Sequence, residues 1–339
     1  MSGFQAELRT LAAGSLPHTD PAAACELMLR HMDIPTWPQL PRRAFLENMY
    51  VQYSERFPGI VVADERIYVE RNGELDPDLE KLYVAYLMDD LEYATVSPEY
   101  AAGLHRFLDL DWEKPPVVKG QVTGPISWGL MVVDQERKPI LYDEVLAEAV
   151  AKHLRLKAEW MEQALRGLAP QTIVFVDEPY MSSYGSAFVS LNEGQVITLL
   201  EEVFAGIQGL KGIHCCGNTD WSLVLSTSVD ILNVDAYAYA EALSLYPDDV
   251  AAFLARGGII AWGIVPASDQ VGEETVDSLM DRFHQALSLL TAKGLKKDDL
   301  LSSALIMPSC GCGSLSIETA ERVLALTSQL AQALHERYG

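Results

Sequence analysis

The sequence predicts an α/β fold, a single (β/α)8 barrel over residues 1–339 with an insertion after the second strand, and three observations predict it. Short apolar or β-branched runs alternate with amphipathic stretches of helical period, there are eight such units, and unusual polar residues gather where the runs end. No Ser/Gly/Pro-rich linker, low-complexity stretch or internal repeat divides the chain, so one domain is the simpler reading.

Taken in order, the first run, 11–16, carries Gly14-Ser15 at its end and leads through Pro17 to a helical pattern over 21–31. The second, 34–40, precedes a helical pattern over 44–57. Residues 60–109, with helical patterns over 77–91 and 98–108, exceed what one strand–helix unit needs and form the insertion. The third run, 116–122, ends at Thr123-Gly124-Pro125 before the long pattern over 142–166. The fourth, 172–176, ends at Asp177-Glu178-Pro179 before a helix over 192–208, and the fifth, 211–215, closes on His214-Cys215-Cys216. The sixth, 230–234, ends at Asp235 before a helix over 248–256; the seventh, 258–265, precedes one over 273–293. The eighth, 304–308, reaches Cys310, and a helical pattern over 317–338 completes the set. On a barrel, chemistry sits where strands end, which is where these polar residues fall.

An apolar fraction of 49% with 22% charged residues is ordinary for a globular chain. The 48 acidic against 25 basic residues give a net charge of −23, which repels phosphate backbones and anionic lipid, so nucleic-acid and membrane partners are not expected. No apolar run reaches membrane-spanning length and the N-terminus lacks a signal-peptide pattern; a cytoplasmic location is the expectation. In that compartment the five cysteines stay reduced, and the grouping of Cys215 with Cys216 and of Cys310 with Cys312 suggests metal or thiol chemistry.

Side chains at i and i+2 of a strand share a face, so His214 and Cys216 converge while Cys215 points away. Cys310 adds a second thiolate after Met307-Pro308-Ser309, and Asp235 ends the neighbouring strand. One imidazole, two thiolates and a carboxylate match tetrahedral zinc, the carboxylate being the most readily exchanged. Cys25 and Cys312 read as packing residues, as do His31, His105, His153, His284 and His335 within helical patterns. His18, in the first loop, is a candidate acid or base. Trp128, Trp221 and Trp262 lie near strand ends, where they either line the barrel mouth or pack beneath it.

These motifs, in this order, resemble the C-terminal barrel of cobalamin-independent methionine synthase, within the superfamily that includes uroporphyrinogen decarboxylase and the methylcorrinoid:coenzyme M methyltransferases. Gly14-Ser15-Leu16-Pro17-His18-Thr19 is similar to that family's Gly-Ser-Phe-Pro-Gln-Thr, Thr123-Gly124-Pro125 to its third-strand loop, and Val176-Asp177-Glu178-Pro179 to its Ile-Asp-Glu-Pro motif. His214-x-Cys216 and Pro308-Ser309-Cys310-Gly311 complete the set. The resemblance implies zinc on His214, Cys216, Asp235 and Cys310, with Asp235 replacing a glutamate. It implies that Ser15 contacts a substrate α-carboxylate and Asp177 its ammonium, Glu178 sharing that work or anchoring a loop.

Two departures bear on the methyl donor. A chain of 339 residues has no room for the family's second barrel, which helps hold a polyglutamated folate, and Trp128 stands earlier than the family's folate-facing tryptophan. A methylcorrinoid such as methylcobalamin, free or on a corrinoid carrier protein, becomes the expected donor, with Trp128 a candidate contact for it. The expected activity is zinc-dependent methyl transfer to a thiol, homocysteine giving methionine. The alternatives are a coenzyme M-like acceptor, a decarboxylase-like enzyme binding carboxylates through Arg42 and Arg43, and a non-catalytic zinc module that docks a corrinoid protein.

Overall fold

The computed structural model describes residues 4–71, 75–186 and 189–339. Its strands are β1 (Ile60–Ala63), β2 (Arg66–Val69), β3 (Val117–Thr123), β4 (Val133–Asp134), β5 (Gln171–Asp177), β6 (Leu210–Cys215), β7 (Ile231–Val234), β8 (Ile259–Val265) and β9 (Ala304–Pro308). Six of them form one parallel sheet in the order β3-β5-β6-β7-β8-β9, and correspond to runs three to eight of the sequence. Their near-continuous burial is what a parallel sheet covered on both faces requires.

The first two runs are not regular strands. Isolated parallel bridges join Thr10 to Ile306, Ser15 to Gln39 and Thr36 to Lys119, so the ring passes from β9 through residues 10–16 and 34–40 back to β3. Pro17, Pro35, Pro38 and Pro41 lack amide donors, and Gly14 sits at φ +131°, outside strand geometry, so a continuous ladder cannot form there. The barrel is closed by two irregular staves.

Two separate cores follow. Leu11, Ala13, Ile34, Val117, Ile173, Phe175, Ile231, Ala261, Leu305 and Met307 fill the lumen, with Phe4 in the same cluster. The larger core lies between the sheet and the outer helices. Those helices start on side-chain caps: Asp143 for Glu144–Arg166, Asn192 for Glu193–Phe204, Thr275 for Val276–Thr291 and Ser316 for Ile317–Tyr338.

The insertion follows the second stave, as expected. It adds a hairpin, β1 and β2, whose two-residue loop Asp64-Glu65 has φ of +52° and +53°, a type I′ arrangement without the usual glycine. β2 pairs with β4, and helices Asp76–Leu87 and Ala102–Leu108 complete the segment. The helix expected over 44–57 is instead a 3-10 turn, Phe45–Glu47, and a short helix, Met49–Gln52, separated where Asn48 turns extended and caps the amide of Tyr50.

Candidate metal centre

The end of β6 carries the cluster. In the parallel register Asp177 stands beside His214 and His214 beside Asn233, so the three share the lumen side of adjacent strands. His214 is buried, and Cys215 turns outward into the helix-facing core, where burial raises its thiol to about 11. Cys216 turns back toward His214, with Sγ 3.0 Å from Nε2. Cys310, past β9, closes the group: the ligand atoms of His214, Cys216 and Cys310 all lie within 4.8 Å of one another.

The donor chemistry fits zinc. The amide of Asn233 donates from Nδ2 to the Ala261 carbonyl at 2.7 Å, which leaves its Oδ1 to accept from Nδ1 of His214. Nδ1 thereby keeps its proton, and Nε2 faces the sulfurs as the nitrogen that an ion would take once its proton is displaced. Without a metal the three groups share protons. The hydrogen bond to Cys216 and burial raise the Cys310 thiol; burial lowers His214, but its bond to Cys310 prevails and lifts it to about 9. Those protons are what a divalent soft-ligand ion displaces on binding.

The two glycines flanking Cys312 explain how Cys310 reaches the site. A Cβ at Gly311 would stand 2.1 Å from the Ser15 hydroxyl, and one at Gly313 2.8 Å from Pro41. Without side chains the loop wraps the first stave, with Cys312 N donating to the Ser15 carbonyl at 2.9 Å and Gly313 N to Ser15 Oγ at 3.3 Å. Cys312 itself is buried in the outer core, as is Cys25.

These groups border a cavity of about 270 Å³ lined by Ser15, Asp177, His214, Cys216, Cys310 and residues 47–50, among others. Asp177 is buried, its Oδ1 lacks a hydrogen-bond partner, and burial raises its carboxyl against the pull of Lys119 and His214. In the second loop the sequence singled out Arg42 and Arg43 but not Glu47. Glu47 lines the cavity with Oε1 on Arg43 at 2.7 Å and Oε2 unpartnered, burial raising its carboxyl. Its only signal was position, in the loop after the second stave.

Other predicted residues take different places. Glu178 is the loop anchor: Oε1 accepts from the Ile126 amide at 2.9 Å and Oε2 from that of Ser127 at 2.7 Å, capping the helix Pro125–Met131. Burial lifts its carboxyl to about 7. Gly124 is required beneath it, since a Cβ would stand 2.2 Å from Oε1. Asp235 lies outside the ligand group; its Oδ1 accepts from the Ala238 amide at 2.9 Å and shapes its own loop. His18 is buried away from the cavity lining with Nδ1 unpartnered, and burial lowers its pKa.

Trp128 is fully buried, donating to the Tyr50 carbonyl at 2.8 Å and packed edge-on against Phe57, so it cannot present a ring to a donor. An aromatic ring one turn into a helix that packs on the barrel is more useful as core than as lining, and Trp221 and Trp262 are buried likewise. Arg42 and Arg43 are engaged by the Ser314 carbonyl and by Glu47.

No family model and no curated protein sequence matches this chain. Among solved structures, it is similar to a B12-independent methionine synthase from Shewanella sp. W3-18-1, solved in complex with selenomethionine. Identity is 18% and the TM-score 0.59, over 97% of this chain and 98% of that one. It is also similar to a methyltransferase from Methanosarcina mazei, at 13% identity and a TM-score of 0.56, over 95% of this chain and 94% of that one. At these identities the likeness is one of fold: the chain has the barrel architecture of both proteins along nearly its whole length.

Proposed function

We propose that this chain is a methyltransferase that moves a methyl group onto a thiol, with homocysteine the favoured acceptor and methionine the product. The observation that carries this reading is a shared cavity, in which three soft ligand atoms, a seryl hydroxyl and a buried carboxylate with an unpartnered oxygen face one space. His214, Cys216 and Cys310 would hold zinc, with Asp235 the fourth candidate. Zinc, when bound, supplies the Lewis acidity that keeps a thiol in its nucleophilic thiolate form near neutral pH.

The remaining work falls to side chains. Ser15 Oγ accepts from Gly313 and keeps its own O–H to donate to an α-carboxylate. Asp177 offers its unpartnered Oδ1 to an ammonium group, in surroundings where a charge-assisted bond is strong. A substrate held at both ends presents its sulfur in one direction, which favours in-line attack on a methyl carbon. Asp177 also selects an amino-acid thiol over a coenzyme M-like one, which has no ammonium to pair. A decarboxylase reading finds less support, because Arg42 and Arg43 already have partners.

The donor in this reading is a methylcorrinoid, free or carried by a protein. The Shewanella protein, described as B12-independent, is covered over 98% of its chain, so a single barrel does not by itself select the donor. The test supplies zinc-loaded protein with homocysteine and either methylcobalamin or methyltetrahydrofolate, and measures methionine. Methionine from methylcobalamin is expected; methionine from neither donor overturns the reading.

A further inference from the structure

Lys119 on β3 is fully buried in the barrel lumen, an expensive place for an ammonium group. Among the described residues no carboxylate lies within ion-pair distance of it. Its Nζ donates instead to the Ala13 carbonyl at 2.5 Å and to Gln121 Oε1 at 3.0 Å, and lies 4.9 Å from the centre of the Phe175 ring. Gln121 Nε2 reaches on to the Trp37 carbonyl at 3.3 Å. The two β3 side chains thus grip both irregular staves by their carbonyls.

The gripped point adjoins the substrate site. Ala13 precedes Gly14, whose φ of +131° turns the stave, and a Cβ on Gly14 would stand 2.5 Å from Gln121 Nε2. The next residue is Ser15, which meets the Cys310 loop at both its carbonyl and its hydroxyl. We propose that Lys119, with Gln121, is a positioning residue: it fixes the turn at Gly14 and thereby sets the Ser15 carbonyl on the Cys312 amide and the Ser15 hydroxyl on the Gly313 amide, where the hydroxyl meets the substrate carboxylate. The carboxylate part of this rests on the homocysteine reading above; the effect on Ser15 does not.

The test uses zinc-loaded full-length protein and the variants Lys119→Met and, as a milder change that keeps the lysine, Gln121→Met. Hydrogen exchange, which needs no substrate, should quicken by about tenfold in residues 11–16 and 312–313 with other strands unchanged. Calorimetric titration compares homocysteine with 3-aminopropane-1-thiol, which lacks the carboxylate. The wild type should prefer homocysteine, and both variants should lose about tenfold of that preference at unchanged zinc content. Ser15→Ala should show the same loss, and adding Lys119→Met to it should remove little more. Unchanged local exchange in the variants, or a wild-type preference that survives in them, overturns the proposal; a role in stability alone would lower the melting temperature and leave the preference intact. A wild type that binds neither thiol counts against the homocysteine reading, and exchange still decides the placement of Ser15.

Discussion

The side chain of Asn233 connects β6 to β8: its Nδ2 donates to the carbonyl of Ala261 and its Oδ1 takes the Nδ1 proton of His214. This fixes the tautomer of the imidazole from behind. Replacing Asn233 with leucine should weaken zinc binding by about 10- to 100-fold while leaving all three ligands in place. Competition with a chromophoric chelator measures it, and an unchanged affinity would show that the ring is oriented by packing alone.

The three-ligand assignment separates neighbouring cysteines. Cys310→Ser and Cys216→Ser should each reduce zinc stoichiometry to near zero, whereas Cys215→Ser, altering a thiol in the outer core, should keep it. Elemental analysis of the purified variants is the measurement; full zinc in Cys310→Ser removes that residue from the centre.

Glu178 satisfies two buried amides at the start of the helix Pro125–Met131. Glu178→Leu should destabilise the fold by about 1–3 kcal/mol for each amide left without a partner. Urea unfolding reads the loss, and a variant as stable as the wild type would show that the amides find other acceptors.

Lys157 is buried in the helix Glu144–Arg166 and donates to the Thr95 carbonyl at 3.1 Å; burial lowers its pKa to about 7. In the unfolded chain the group holds its proton to about pH 10.4, so above pH 7 the unfolded state binds more protons and stability rises with pH. Lys119, lowered to about 8, adds to the rise only above that pH. Lys157→Met should therefore flatten the increase between pH 7 and 8, as measured by urea midpoints, and an identical slope in the variant would refute the assignment.

The parts of the fold legible in the sequence were those governed by two-sided burial. Runs such as 172–176 and 304–308 are apolar throughout because helices cover one face and the lumen the other. The period-2 rule separated Cys216 from Cys215 for the same reason. Where a single residue overrides the pattern, reading failed. Asn48 breaks a helical stretch by capping its second half, and prolines with Gly14 deny the first two runs a ladder. Lys119 lies within the third run and has no role in the sequence reading, because no local pattern records that an adjacent stave offers it a carbonyl. Asp235 occupies the predicted strand end, and its Oδ1 accepts from the Ala238 amide of its own turn, a pairing that spacing does not record.

The interlock of Ser15 with Gly313 joins residues 298 positions apart, and the bridge from Thr10 to Ile306 spans almost as far. During synthesis, His214 and Cys216 emerge from the ribosome well before the segment that completes their site. The nascent chain therefore carries an open half-ring with two soft ligands and no enclosed cavity until β9 and its loop arrive. Contacts of such long range slow the final step of folding. An ion bound by His214, Cys216 and Cys310 would thus be selected by the finished barrel, after the last strand has locked against the first stave.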